Sequence, residues 1–331
     1  MNYDFYVILK EAHLNQESFK KFKNSQSLYY LQGKRDAILD KQFQMLFNYR
    51  DIVYNLCPQQ LWLVKENNIS CNYIKVFSIS LTFTSSFFTA SENKFYSITN
   101  PIAKERPTGL SVLKGSSLKG ALRHASIESI EEEMINNYFS EYEEKETNEI
   151  VEREKENDRF YFKKRLQIVK LFGNEKGTEW FTFKSLITTG GISDVSKIQD
   201  ILEKINNAFL KYLKKHRVIS KEEFCKGRLI FEDIHFTQVG LDVITPLDRR
   251  KRTPVRGPIF YEVVPEGATA TGRIIWLPFD LVVKDYSEEK ITEEWQKDKE
   301  VLKCAFERLS TTGIGAKTAE GWGRFRWEEI S

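Results

Sequence analysis

Lys119 and Arg123 stand four residues apart in the stretch KGSSLKGALRHA, Lys114 to Ala125. On a helix that spacing puts both cations on one face. Ser116 or Ser117 can cap such a helix, since a hydroxyl there accepts from a backbone N–H with no partner inside the helix. Open N–H groups at a helix start, the positive end of the helix dipole and Lys114 beside it describe a cradle for a phosphate. The same residues also describe an ordinary capped helix with solvated cations. Its buried stripe would be Leu118, Ala121, Leu122 and Ala125. Local chemistry leaves both readings open.

A second stretch lies at the far end, Gly313 to Phe325, GIGAKTAEGWGRF. Its glycines let backbone approach a ligand or another segment closely. Lys317, Thr318 and Arg324 offer charge and hydrogen bonds, and Trp322 offers a flat stacking surface. A phosphate loop of the Walker type is excluded, because Ala316 separates Gly315 from Lys317 and a strand, not a helix, should follow. A tight glycine turn feeding a core strand remains the alternative.

The third stretch is Leu247 to Pro258, LDRRKRTPVRGP. Arg249, Arg250, Lys251, Arg252 and Arg256 face only Asp248 there, between Pro246, Pro254 and Pro258. Such cations suit phosphates, which they neutralise with release of counterions. A solvated loop is the plain reading; the shortage of acids favours RNA or DNA.

Catalytic residues are harder to find. His13, His124, His216 and His235 have no serine or cysteine near them in a nucleophile arrangement. Glu232 and Asp233 are adjacent on an expected strand, so their side chains diverge and make a poor metal pair. The four cysteines, Cys57, Cys71, Cys225 and Cys304, include no C-x-x-C pair, which argues against zinc. No catalytic residue, metal or cofactor is assigned.

Those stretches must be positioned by a globular chain. It has 331 residues, 41% of them apolar and 13% aromatic, enough for a large core. With 50 basic and 47 acidic residues, placement of charge matters more than its sum. Isolated cysteines fit a reducing cytoplasm. The N-terminal MNYDFYVILKEAHLNQ does not read as a signal peptide, and no run reaches membrane-spanning length. A cytoplasmic protein without membrane contact is expected.

Residues 1–70 read as a helical extension, with Leu39, Phe43, Leu46 and Phe47 at roughly helical spacing. Residues 71–331 form the main domain. A strand is expected at Tyr73 to Phe83, then a long loop from Thr84 to Val112, then the KGSSLKGALRHA helix. Residues 128–159 are a charged, Glu-rich insertion. Phe160 to Phe172 is aromatic and basic and stops at Gly173; a loop or hairpin follows over residues 177 to 195. Ile198 to Val218 is an amphipathic helix with Ile201, Ile205, Phe209 and Leu213 on one stripe. Further strands are expected at Gly227 to His235, Val243 to Pro246, Ile259 to Val264 and Ala268 to Leu277. A helix at Thr292 to Ser310 precedes the glycine-rich stretch, and a last strand runs from Gly323 to Trp327. This is an α+β order that suits β-α-β units of ferredoxin-like type.

Taken as a pair, KGSSLKGALRHA and GIGAKTAEGWGRF resemble the two signatures of the RAMP superfamily, repeat-associated proteins of type III CRISPR effector complexes. The G-S-S-L-K-G-x-L-R pattern matches the first, and Gly-Ala-Lys-Thr followed by Gly-aromatic-Gly is similar to the glycine-rich C-terminal motif. GRLIFEDIH and Asp242 to Pro246, DVITP, resemble the small terminal backbone-type subunit of Cmr, or type III-B, complexes. The resemblance covers roughly residues 73–331. It implies a ferredoxin-like, RRM-like RAMP fold and assembly with other RAMP subunits. The implied RNA partners are CRISPR guide RNA and target RNA. Ser116, Ser117, Lys119 and Arg123, with Lys317, Thr318 and Arg324, match positions expected to meet RNA backbone. The basic loop occupies the place of a hairpin expected to reach the duplex or a neighbour.

Target-cleaving members carry an aspartate between the first strand and the motif helix. Thr84 to Leu113 contains none, and Glu92 and Glu105 are its only acids. Leu247 stands where the family commonly has His or Asn after D-V-x-T-P. The implied role is therefore a non-catalytic guide-RNA-binding and assembly subunit in antiviral defence, near the guide 3′ end. The alternative is a metal-independent CRISPR RNA-processing endoribonuclease with a histidine, His124 or His13, as general base.

Overall fold

The computed structural model describes residues 73–90, 100–105, 110–134, 162–174, 195–219, 225–246, 248, 250, 251, 253, 254, 257–284 and 286–330. The helical extension expected over residues 1–70 lies outside them. So does most of the Glu-rich insertion, and so does the loop over 177 to 195 except for its last residue.

Strand β1 (Lys75–Phe83) alternates as its sequence demands. Phe77, Ile79, Leu81 and Phe83 are buried, while Ser78, Ser80 and Thr82 lie on the other face. The loop that follows is pinned in places, by bridges of Ala90 to Ile102 and of Lys104 to Ser111. It leads through β2 (Ser111–Leu113) into α1 (Gly115–Met134). A second helix, α2, occupies 162–172 and stops at Gly173, whose φ of 76° suits glycine. After β3 (Gly173–Asn174) and α3 (Val195–Lys215) come β4 (Cys225–Lys226), β5 (Leu229–Phe231) and β6 (Ile234–Phe236). The single strand expected over Gly227 to His235 is thus two, broken at Glu232 and Asp233. There both carboxylates turn away to partners of their own. β7 (Gly240–Ile244) and β8 (Ile259–Val263) form a hairpin that carries the basic loop. β9 (Thr269–Trp276), the short α4 (Phe279–Val282), α5 (Glu288–Thr312) and β10 (Phe325–Ile330) complete the chain.

The main sheet has four strands in the order β10, β1, β9, β5, every neighbouring pair antiparallel. In chain order its elements are β1, α1, β5, β9, α5, β10. Two β-α-β units are therefore interleaved, each leaving room for a strand of the other. Leu118, Leu122, Ala125 and Ile130 of α1 and Trp295, Leu302, Phe306 and Leu309 of α5 join the sheet's inner residues in one core. Gly272 in β9 makes room for Ile234 of β6, whose Cδ1 would lie 2.5 Å from a Cβ there.

A buried arginine ties the edge of that core together. Arg228, just before β5, donates from Nε and Nη2 to the two oxygens of Asp280, at 2.8 and 2.6 Å. Its Nη1 donates to Asp298 Oδ2 at 2.8 Å, which also accepts from Trp276 Nε1 at 2.8 Å. Burial works against ionised Asp280, but the guanidinium overcomes it and holds the carboxyl below its usual range. A smaller apolar cluster joins α2 to α3 through Phe162, Leu166, Val169, Phe209, Leu213 and Ile219. α2 faces both ways, since Ile168, Leu171 and Phe172 belong to the main core.

Candidate nucleic-acid interface

The start of α1 differs from the capped start expected. The helix begins at Gly115, ahead of both serines, which are exposed in its first turn. The anion at this helix start is internal. Gly115 N–H donates to Asp233 Oδ1 at 2.7 Å, and Lys114 Nζ donates to Asp233 Oδ2 at 2.6 Å. Burial opposes the Asp233 charge, but these two donors prevail and lower its pKa. Glycine is required at 115, since a Cβ would lie 2.4 Å from the Phe231 carbonyl oxygen. Close approach of α1 to β5 thus explains the first glycine of the motif.

One turn later the cations gather. Lys119 is half-buried and its pKa is lowered, first by burial and then by repulsion from Arg123 and Lys226. Lys119 and Arg123 share the helix face that their spacing predicts. Lys226, exposed on β4, adds a third charge from elsewhere in the chain. Like charges near one another favour an anion beside them, and Lys and Arg are residue types suited to phosphate. Sequence reasoning missed Lys226, because nothing local marks a lone lysine before Gly227.

The glycine-rich stretch builds a tight loop from α5 to β10. Gly313, Gly315, Gly321 and Gly323 all have positive φ. Ile314 N–H donates to Gly323 O at 2.9 Å, Ala316 N–H to Phe88 O at 2.8 Å, and Gly323 N–H to Ser86 O at 2.8 Å. The loop is thereby fastened to residues just after β1, and the turn-feeding-a-strand reading describes its backbone. Lys317 presents its ammonium 5.1 Å from the Tyr261 ring centroid and 6.0 Å from that of Trp322, and pairs with Glu320 at 3.1 Å. Trp322 stands edge-on to Tyr261 at 5.6 Å, so part of its ring is already covered. Thr318 opens a single 3-10 turn, and exposed Arg324 donates its N–H to Ser85 Oγ at 2.9 Å. Tyr261, on β8, was not singled out from sequence; only its place beside Phe260 in a short strand hints at it.

In the basic loop, Asp248 serves the backbone. Its Oδ1 accepts from the N–H groups of Arg250 at 2.8 Å and Lys251 at 2.7 Å, which hold its carboxyl below the usual range. Its own N–H donates to Thr253 O at 2.8 Å, closing the turn. The one acid of the loop therefore shapes it, and Arg250 and Lys251 remain exposed. Arg249, Arg252 and Arg256 lie outside the described residues. The hairpin is anchored by Glu262, which takes Lys104 Nζ at 2.6 Å in a buried ion pair, and by Asp242, which accepts from Ser86 Oγ at 2.7 Å.

His124 Nε2 lies 3.2 Å from Glu128 Oε1, His235 Nε2 lies 3.3 Å from Glu105 Oε2, and the His216 ring lies 4.3 Å from that of Tyr212, tilted by 48°. His13 lies outside the described residues. Glu232 pairs with Arg273 and Asp233 with Lys114, so the two neighbours do diverge. Among the described residues, no group of three His, Cys, Asp or Glu is placed to hold a metal ion, and no helix is long and apolar enough to cross a membrane.

No match is found among curated protein sequences. Among solved structures, the chain is similar to a type III-B Cmr-beta complex bound to cognate target RNA. Identity there is 12%, over 93% of this chain and 75% of that one, with a TM-score of 0.43. It is also similar to a type IV-B CRISPR complex, at 12% identity over 78% of this chain and 91% of that one, TM-score 0.38. Cmr6 from Pyrococcus furiosus matches at 15% identity over 79% of this chain and 100% of that one, TM-score 0.35. The family model of the RAMP superfamily matches residues 80–326, a span that runs from β1 to β10 and includes the α1 motif and the glycine-rich loop. On that match, the chain belongs to the RAMP superfamily.

Proposed function

We propose that the chain is a non-catalytic subunit that binds guide RNA and assembles with other RAMP subunits in a type III CRISPR effector complex, near the guide 3′ end. The observation that carries this is the grouping of Lys119, Arg123 and Lys226 in a RAMP chain. Arg123 and Lys226 both repel the Lys119 ammonium, which a bound polyanion would relieve. The interleaved strand order supports a ferredoxin-like reading of the sheet. The absence of aspartate from Thr84 to Leu113 supports holding RNA over cutting it.

The test is guide-RNA affinity of the full chain across a salt series. Lys119→Ala, Arg123→Ala and Lys226→Ala together should weaken binding and flatten its salt slope by about 2 for a single strand. Unchanged affinity and slope would remove the basis of the proposal.

A second reading, metal-independent endoribonuclease, draws on the exposed His124 beside Arg123 and its pairing with Glu128. Incubation with repeat RNA in EDTA decides between the two. Cleavage that disappears in His124→Ala would replace the first reading by the second.

A further inference from the structure

α2 and α3 carry charge that no RAMP motif accounts for. From residue 162 to 172 α2 has four cations and no acid, and from Lys204 to Arg217 the chain has no acid either. At the end of α3, Lys211, Lys214, Lys215, His216 and Arg217 are all exposed. Lys211 and Lys215 are four apart, so they share a face. Tyr212 and His216 form the adjacent ridge, their rings 4.3 Å apart. Phe162, next to exposed Lys163, meets Tyr212 at 5.4 Å and brings α2 to the same place.

The backbone at this end is unusual. Val218 N–H donates to Leu213 O at 3.1 Å, and Arg217 N–H to Lys214 O at 3.0 Å. That pair of bonds is a Schellman cap with Arg217 in its left-handed position, at φ 52°. Glycine takes that conformation without penalty, whereas an L side chain does not. An arginine is held where glycine would fit without strain, and strained positions of this kind cluster at functional sites.

Cations at a helix C-terminus complement its dipole, but that dipole amounts to only about half a charge. Four cations exceed what it needs. Their interleaving with the exposed His216 ring, braced by half-buried Tyr212, points to a ligand with both phosphates and stackable bases, and so to a nucleic acid over an acidic protein.

We propose that the α3 C-terminal end is a second contact for single-stranded RNA, with phosphates on Lys211, Lys215 and Arg217 and a base on the His216 ring. The choice of RNA as ligand rests on the reading given under Proposed function. The residues are separate from the α1 cluster, so the two can fail independently.

The experiment is a fluorescence anisotropy titration of the full chain with an oligouridine of about 12 nucleotides, within the usual site size for single-strand binders. Lys211→Ala, Lys215→Ala and Arg217→Gly combined should weaken binding about tenfold and flatten the salt slope by about 2. Arg217→Gly alone should raise Tm while it weakens binding, a combination that a merely structural arginine would not give. His216→Ala should weaken binding and His216→Phe restore it. Unchanged affinity in the triple variant, with binding lost in the α1 variant, overturns this site and leaves the α1 reading intact. The reverse pattern leaves this site standing alone. Failure of the wild-type chain to bind the oligouridine overturns the site as well. Loss of poly-L-glutamate binding with RNA affinity unchanged would reassign the surface to an acidic protein.

Discussion

Gly115 donates its backbone N–H to Asp233 Oδ1 at 2.7 Å, across 118 positions of sequence. The partial positive charge at the start of α1 is therefore met from within the chain, by the residue at the break between β5 and β6. Lys114 completes the arrangement as an ion pair to the same carboxylate. In this chain the motif's first turn docks the helix on the sheet, and its cation-bearing face begins one turn further on, at Lys119.

Asp233→Ala should destabilise the fold by about 1 kcal/mol at neutral pH, the usual loss for a helix-cap acceptor. The folded pKa of Asp233 is lowered, burial being outweighed by Lys114 and the Gly115 N–H. Its contribution is therefore present above the unfolded value, about pH 4, and is lost as pH falls through the folded value. Urea unfolding at neutral and acidic pH measures this. The gap between wild type and Asp233→Asn should shrink on acidification; a constant gap would show that the carboxylate charge contributes nothing.

Gly323 and Gly321 should respond differently to alanine, although both have positive φ. A Cβ on Gly323 would lie 1.9 Å from Ile314 O, backbone that cannot move away, whereas the nearest atom to one on Gly321 is Arg324 Cζ at 3.9 Å. Gly321→Ala should lose only the conformational penalty, about 1–2 kcal/mol. Gly323→Ala should lose that and an overpacking cost, together about 3 kcal/mol or more. Equal losses in thermal denaturation would contradict the close contact.

Arg228→Met should be among the most damaging single changes. It strips the buried Asp298 of its cation and half-buried Asp280 of both its guanidinium hydrogen bonds. Removing one partner of a buried ion network costs about 3–5 kcal/mol. Chemical denaturation should show this, and Arg228→Met with Asp298→Leu should recover part of the loss. Absence of recovery would mean that Arg228 acts through packing alone.

Lys226→Ala should raise the pKa of Lys119, because Lys226 is one of two cations that repel its ammonium. NMR titration of the Lys119 side chain reads this directly. The same variant should bind RNA more weakly, with a salt slope smaller by about 0.7. A shift in the titration with no change in binding would separate the cluster from RNA.

Periodicity alone specified much of this chain. Alternation in KVFSISLTF fixed β1 and its inner face, because one side of a sheet must be buried. The spacing of Leu118, Leu122 and Ala125 fixed α1, and that of Phe209 and Leu213 fixed the buried face of α3. Sequence also located the positive charge on α1 and on the β7–β8 hairpin, and the glycines that close the loop before β10. It did not show that Asp233 occupies the start of α1, that Lys226 joins Lys119, or that Tyr261 faces Lys317. Each of these is an interaction between residues roughly 55 to 120 positions apart, created when strands and helices from different parts of the chain are brought side by side. Local pattern records which face of an element is buried; which charge then meets which is decided only when the elements pack.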